Sequence, residues 1–185
     1  MKKLILLSTM AIFAISNVIN AQNVDFGFKT GLNISNIRGG EGARDNLFTF
    51  HIGGVAEFKV NEKFSLQPEL LYSRQGGESG NSEKLKLDYL SIPLMAKYYV
   101  SEKFSIEAGP QISFLVNDKA VFNDRSIPDL NTDASNFDFA LNVGFGYNIN
   151  ANLFAQVRYN YSITTISENP DLKNSVFQIS LGYKL

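Results

Sequence analysis

Apolar and polar residues alternate one by one along most of this chain, and that period of two is what most narrows its fold. From Phe137 the odd positions are Phe137, Phe139, Leu141, Val143, Phe145, Tyr147 and Ile149, while the even ones are Asp138, Ala140, Asn142, Gly144, Gly146 and Asn148. A strand sends successive side chains to opposite faces, and a helix cannot sustain that pattern. The last segment repeats it, with Phe177, Ile179, Leu181, Tyr183 and Leu185 against Val176, Gln178, Ser180, Gly182 and Lys184. The same reading gives apolar faces at Phe26, Phe28, Leu32 and Ile34, at Phe48, Phe50, Ile52, Ala56 and Phe58, and at Phe64, Leu66, Pro68, Leu70 and Tyr72. Further faces run from Leu90 to Val100, from Phe104 to Phe114 and from Leu153 to Ile163, so about eight strands are predicted.

The connections alternate as well. Long links over 35–46, 76–84, 117–136 and 167–174 are separated by short turns near Asn61, Ser101 and Asn150. Long outer loops and short inner turns in that order describe an up-and-down barrel with both termini in the periplasm. Val60-Asn61-Glu62-Lys63-Phe64-Ser65-Leu66 is echoed by Val100-Ser101-Glu102-Lys103-Phe104-Ser105-Ile106, a repeat of one hairpin pair. Two strands per unit are too few for a propeller blade. Pro68, Pro93 and Pro110 interrupt these runs, and because proline lacks a ladder donor each is expected to mark a bulge or a strand end near the rim.

Lys2 and Lys3 precede an apolar run from Leu4 to Ile15, and small Ala21 follows, which reads as a secretory signal peptide cleaved after Ala21. The run is shorter than the roughly 20 residues of a membrane-spanning helix. The expected organisation is therefore a signal peptide over 1–21 and one barrel domain over 22–185. Cleavage removes two lysines and no acid, taking the formal charge from −1 to −3. Without another long apolar run, the choice lies between a soluble β protein and a barrel of the outer membrane, whose signal hides in alternation.

Size decides which face is outside. Eight strands enclose a space that side chains just fill, and eight rows of Phe, Leu, Ile and Tyr would overpack it. The opposite phase holds Gly27, Gly31, Asn33, Gly53, Ser65, Gln67, Ser73, Ser91, Gln111, Ser113, Asn142, Gly144, Gln156, Asn160 and Ser162, which suit a narrow polar lumen. Tyr72, Tyr98, Tyr99, Tyr147 and Tyr161 are expected in interfacial girdles. Lys29, Glu57, Glu69, Lys97, Glu107, Asp138 and Arg158 share the lumen phase, and buried charges need partners. A three-residue Ser101–Lys103 connection places Lys97 opposite Glu107, and Glu69 and Arg158 lie at comparable depth. The expected result is a plugged, charge-balanced interior rather than a water channel. A lipocalin-like soluble binder stands as the alternative if the apolar face points inward.

Composition excludes much chemistry. With no Cys and one His there is no thiolate site and little scope for zinc, haem or a nucleophile–His pair. Seventeen basic against eighteen acidic residues leave no field for nucleic acid. His51 belongs to the lumen phase near the outer end, out of reach of a lipid substrate. Asp118, Asp124, Asp129 and Asp133 carry the oxygens calcium accepts but match no EF-hand spacing. Gly39–Gly42 and Gly76–Gly80 lack the Lys-Ser/Thr ending of a phosphate loop, and with 117–136 they are expected to form flexible outer loops. No catalytic residue, cofactor or metal is expected.

Phe26-Gly27-Phe28-Lys29-Thr30-Gly31-Leu32-Asn33-Ile34-Ser35-Asn36, Leu66-Gln67-Pro68-Glu69-Leu70-Leu71-Tyr72-Ser73, Tyr89-Leu90-Ser91-Ile92-Pro93-Leu94-Met95-Ala96-Lys97-Tyr98-Tyr99 and Glu107-Ala108-Gly109-Pro110 resemble the PorT-type outer-membrane β-barrel domain family over essentially the whole mature chain. The resemblance implies an OmpA-like, eight-stranded barrel in a Gram-negative outer membrane, in contact with its lipid and lipopolysaccharide. It also implies that Phe177, Ile179, Leu181, Tyr183 and Leu185 form the C-terminal signal read by barrel-assembly machinery. Two roles follow: a small structural or surface-interaction barrel, or an accessory component of a secretion or transport machine, in contact with its proteins.

Overall fold

The computed structural model describes residues 24–39, 45–79, 83–122, 125–128, 134–168 and 171–185. The expected signal peptide, with Gly40–Gly42, Gly80, Asp124, Asp129 and Asp133, lies outside them. The elements are β1 (Val24–Arg38), β2 (Leu47–Lys59), β3 (Phe64–Ser79), β4 (Glu83–Tyr99), β5 (Phe104–Phe122), β6 (Arg125–Pro128), β7 (Phe137–Asn148), β8 (Leu153–Ser162), β9 (Ser167–Glu168) and β10 (Asp171–Lys184). All pairings are antiparallel, and β1 pairs with β10, so β1, β2, β3, β4, β5, β7, β8 and β10 close into a barrel. β6 and β9 are short additions on the outer ends of β5 and β10.

The register fixes the barrel's shape. Partners lead from Val24 to Phe58, Leu66, Ala96, Ala108, Val143, Tyr159 and Phe177, and return to β1 at Ile34. The circuit is displaced from residue 24 to residue 34, a shear of ten. With strand spacings near 4.8 Å and a rise near 3.3 Å, that shear tilts the strands by about 40° and sets a backbone radius of about 8 Å. Each residue then climbs about 2.5 Å, so a lipid band about 25 Å tall takes roughly ten residues.

β7 and β8, at 12 and 10 residues, match that band, whereas β3, β4 and β5 run to 16, 17 and 19. The surplus rises at the end away from the short turns. This corrects the expectation of flexible outer loops, because Gly76↔Lys86, Gly77↔Leu85 and Glu78↔Lys84 continue the β3–β4 ladder, and β5 pairs on through Phe122. Gly76 has φ +139°, and a Cβ there would stand 1.9 Å from the Leu85 carbonyl oxygen, so glycine is required for the ladder to pass.

The short turns are built as their residues dictate. Val60 and Val100 donate backbone N–H groups to the carbonyls of Phe64 and Phe104. Asn61 Oδ1 accepts from Lys63 N, and Asn150 Oδ1 accepts from Asn152 N and Leu153 N, the side-chain turn closure asparagine favours. The prolines do not act as expected. Pro68, Pro93 and Pro110 sit inside continuous strands and leave gaps in the ladder without shifting its register, while the register shift between β4 and β5 falls at Asp88/Tyr89.

The burial pattern puts the aliphatic and aromatic phase outside. Phe28, Leu32, Leu94, Ile106, Leu141, Val143, Phe145, Ile179 and Leu181 are exposed, and the polar phase is buried. That arrangement removes the soluble lipocalin-like alternative. Above the polar interior, Ile37, Leu87, Tyr89, Ile166 and Leu172 form a buried apolar cluster, joined by Leu85, Leu115 and Ala134. Ile37 and Leu172 come from β1 and β10, and Leu87 and Tyr89 from β4 on the opposite wall, so the cluster closes the outer mouth.

Candidate functional site

Every charged residue expected in the lumen lies there, in stacked layers. In the lowest, Glu57 Oε2 is 2.8 Å from Lys184 Nζ and 3.2 Å from Lys97 Nζ, and Glu57 Oε1 accepts from the Tyr99 hydroxyl. Tyr99 is thus a lumen residue, not part of an interfacial girdle, as its odd position on β4 dictates. Lys97 also donates to Gln67 Oε1 at 3.0 Å, and Gln67 Nε2 donates to Glu69 Oε1 at 2.7 Å, which joins this layer to the next.

Glu69 is the centre of the middle layer. Arg158 holds it with a two-pronged fork, Nη1 to Oε2 at 3.0 Å and Nη2 to Oε1 at 2.9 Å, and Lys29 Nζ lies 2.8 Å from Oε2. Arg158 Nη2 further reaches Glu107 Oε2 at 3.1 Å, while Gln156 donates to the same oxygen and accepts from Lys29. Lys97 and Glu107 are register partners, as the turn length predicts, yet their ion pairs go elsewhere, Lys97 to Glu57 and Glu107 to Arg158. The guanidinium is 1% exposed, so its planar fork replaces lost water with directed bonds.

Higher up, His51 is fully buried between Asn33 Oδ1 and Ser180 Oγ, each 2.8 Å away. Asn33 Oδ1 also accepts from Gln178 Nε2 at 3.0 Å, which assigns the His51 proton to Nδ1 and leaves Nε2 to accept from the serine hydroxyl. Gly31 makes room for the ring, since a Cβ there would meet His51 Cε1 at 2.7 Å. On the facing wall, Asn160, Asn142, Gln111 and Ser113 form a donor chain. Asp138, beneath the apolar cluster, accepts from Ser162 Oγ and Thr164 Oγ1, each at 2.8 Å, and has no cation partner among the described residues.

Lys29, Lys97, Arg158 and Lys184 therefore face Glu57, Glu69, Glu107 and Asp138 inside the barrel. The interior is balanced and tightly bonded, and the Ser180 hydroxyl that meets the His51 imidazole is buried together with it. Among the described residues no group of His, Cys, Asp or Glu is arranged to hold a metal. Gln67 and Gln156, expected among the polar lumen residues, join the charges in this network, and Lys184, which the sequence reading did not count among the lumen charges, is there by position parity. At the short-turn end the barrel opens into a basin of about 890 Å³, lined by Lys59, Glu62, Lys63, Glu102, Lys103 and Asn150 among others. The C-terminal row Phe177, Ile179, Leu181, Tyr183 and Leu185 faces outward.

Solved structures share this architecture. The attachment invasion locus protein Ail of Yersinia pestis superposes with a TM-score of 0.59 at 16% identity, covering 89% of this chain and all of that one. Neisserial surface protein A superposes with a TM-score of 0.63 at 13% identity, covering 86% of this chain and 97% of that one. Ail in complex with the heparin analogue sucrose octasulfate superposes with a TM-score of 0.54 at 15% identity, covering 89% and 100%. At such identities the likeness concerns the fold. No curated protein matches the chain. The outer membrane protein beta-barrel domain family matches residues 20–168, and the chain belongs to that family as a small barrel of the outer membrane.

Proposed function

We propose that this protein is a non-enzymatic, non-conducting barrel whose work is done by contacts at its outer surface. The observation that carries this reading is the double closure of the lumen, first by the Glu69-centred ion network and then by the Ile37–Leu87–Tyr89–Ile166–Leu172 cluster. A path for ions needs water-filled space, and here side chains from opposite walls bond to one another across it. The outer extension of β3, β4 and β5 remains as a ladder-braced surface above the apolar rows. Ail has been captured with a heparin analogue, which supports a search for polyanionic partners of this surface. The test is incorporation of the folded protein into planar bilayers. No discrete conductance steps are expected, and reproducible steps in the pure protein overturn the reading.

The second reading is an accessory role in secretion or transport, supported by the PorT-type resemblance and by the charged basin at the short-turn end. Cross-linking from Lys63 and Lys103 in intact cells distinguishes the two. Capture of secretion-machine proteins favours this role, and capture of none favours the surface role.

A further inference from the structure

The floor of the basin at the short-turn end holds a hydroxyl without a partner. Ser65 lines the basin and is 1% exposed, yet its Oγ makes no hydrogen bond, whereas buried polar groups in folded proteins are nearly always paired. The register sets this hydroxyl between two cations. Ser65 on β3 is the partner of Lys59 on β2 and of Lys97 on β4, and all three share the lumen phase of their strands. Lys184 comes to the same floor from β10. Its ammonium has three donors and two acid neighbours, Glu57 Oε2 at 2.8 Å and Asp25 Oδ2 at 3.6 Å, while Lys59 spends one donor on Asp25 Oδ2 at 2.9 Å. The Tyr99 hydroxyl is already committed to Glu57.

The distribution of charge is the second observation. Lys59, Lys97 and Lys184 share only Asp25 and Glu57, which leaves the floor one positive charge in excess. The acid that balances it overall, Asp138, lies at the other end of the lumen beneath the apolar cluster. On the rim the two repeated turns each add one acid and one base, Glu62 with Lys63 and Glu102 with Lys103, so the rim is neutral and the excess belongs to the floor. The basin, at about 890 Å³, has the size of a small-molecule site. Above it the Lys97–Gln67–Glu69 bonds close the lumen, which makes the basin a blind site and not the mouth of a channel. One uncompensated cation beside an unpartnered hydroxyl donor matches a single anionic group with lone pairs to offer. A group of two negative charges would exceed what the floor balances and would meet Glu62 and Glu102 on its way in.

We propose that this basin is a binding site for a small, singly charged carboxylate entering from the short-turn side. One carboxylate oxygen accepts from the Ser65 hydroxyl, and the spare donors of Lys59 and Lys184 hold the charge. The inference depends on neither role proposed above, since it concerns the blind end of the lumen and not the outer surface.

The test titrates the full mature chain, folded in detergent micelles, with N-acetyl-trialanine, with its neutral C-terminal amide and with inorganic phosphate, following backbone amide signals by NMR. Saturable shifts at Ser65 and Lys184 are expected with the carboxylate, none with the amide, and weaker binding with phosphate. Ser65→Ala is expected to weaken carboxylate binding about tenfold, the loss of one hydrogen bond to a charged group. The same variant removes an unpartnered buried hydroxyl, so its folding is expected to equal or exceed that of the wild type. Ser105→Ala, the equivalent change in the repeated turn, lies outside the lining of the basin and is expected to leave binding unchanged. Equal binding of the amide, equal or tighter binding of phosphate, full affinity in Ser65→Ala, or shifts that never saturate each overturn the proposal. A spectrum without dispersed amide signals rejects the barrel itself, whereas a folded spectrum without carboxylate dependence rejects only the site.

Discussion

Replacing Glu69 with alanine removes the acceptor at the centre of the lumen. Four bonds disappear together: both prongs of the Arg158 fork, the Lys29 contact at 2.8 Å and the Gln67 contact at 2.7 Å. Arg158 keeps Glu107 and Lys29 keeps Gln156, so neither cation is wholly stranded, but the interior is left with one uncompensated positive charge. Breaking a buried ion pair by deleting one partner costs about 3–5 kcal/mol, and the retained contacts put Glu69→Ala near the lower end. With a urea dependence of about 2 kcal/mol per molar, the midpoint of unfolding falls by roughly 1.5–2 M. The urea midpoint of the heat-modifiable folded band, read on gels from the mature chain in phosphatidylcholine vesicles, measures it. Glu107→Gln is expected to cost less, because Glu107 Oε1 has no partner and only its other oxygen is engaged. Adding Arg158→Met to Glu69→Ala is expected to cost less than the two single changes together, by about 0.5–3 kcal/mol of coupling. A Glu69→Ala midpoint equal to wild type, or strict additivity of the pair, refutes the claim that this network holds the barrel.

Asp at Tyr183 and Leu185 places two charges on the lipid face of the terminal strand; each costs up to a few kcal/mol according to depth, and the folded band in the membrane fraction is expected to disappear. Normal folded yield of that variant counts against the outward orientation of the row. Gly76→Ala drives a methyl into the Leu85 carbonyl, so the β3–β4 extension is expected to loosen at a cost of about 1–3 kcal/mol while the barrel below stays closed. Faster amide exchange around Leu85 and Leu87, with an unchanged urea midpoint, is the expected signature, and unchanged exchange argues against the ladder.

Parity along the chain was enough to read the barrel and to place each lumen charge, because a strand leaves a side chain only two directions. Partner choice was not legible in the same way. Lys97 is opposite Glu107 in register, but its ammonium goes to Glu57 on β2, since long side chains in a narrow lumen reach across it rather than along the ladder. Tyr99 looked like a girdle residue because tyrosines gather at interfaces, and its odd position, which outweighs that tendency, sends it to Glu57. The outer extension was hidden by composition: Gly76, Gly77, Glu78 and Ser79 read as a loop, yet Gly76 is what lets the strand pass close to Leu85. The apolar cluster was unreadable from local pattern, since it joins Ile37, Leu87, Ile166 and Leu172 across more than a hundred residues.

The closing seam shows what the lumen side chains contribute beyond charge balance. Every other neighbouring pair of barrel strands is consecutive around the wall and joined by a turn or an outer connection, whereas β1 and β10 meet from the two ends of the chain and have no hairpin to set their register. A slip of one residue there would turn the apolar row of β10 inward and its Gln178, Ser180 and Lys184 toward lipid. Side-chain bonds span that seam: Gln178 to Asn33, His51 to Ser180 across β1, Lys29 to Gln156 across β10, and Lys184 to Glu57 across β1. Each satisfies a polar group only when β10 sits with Phe177 beside Ile34 and Tyr183 beside Phe28. A one-residue shift strands all of them in a space without water, at about 1–3 kcal/mol apiece. The polar interior therefore selects the register in which the chain closes, a task that an interior of interchangeable apolar side chains performs poorly.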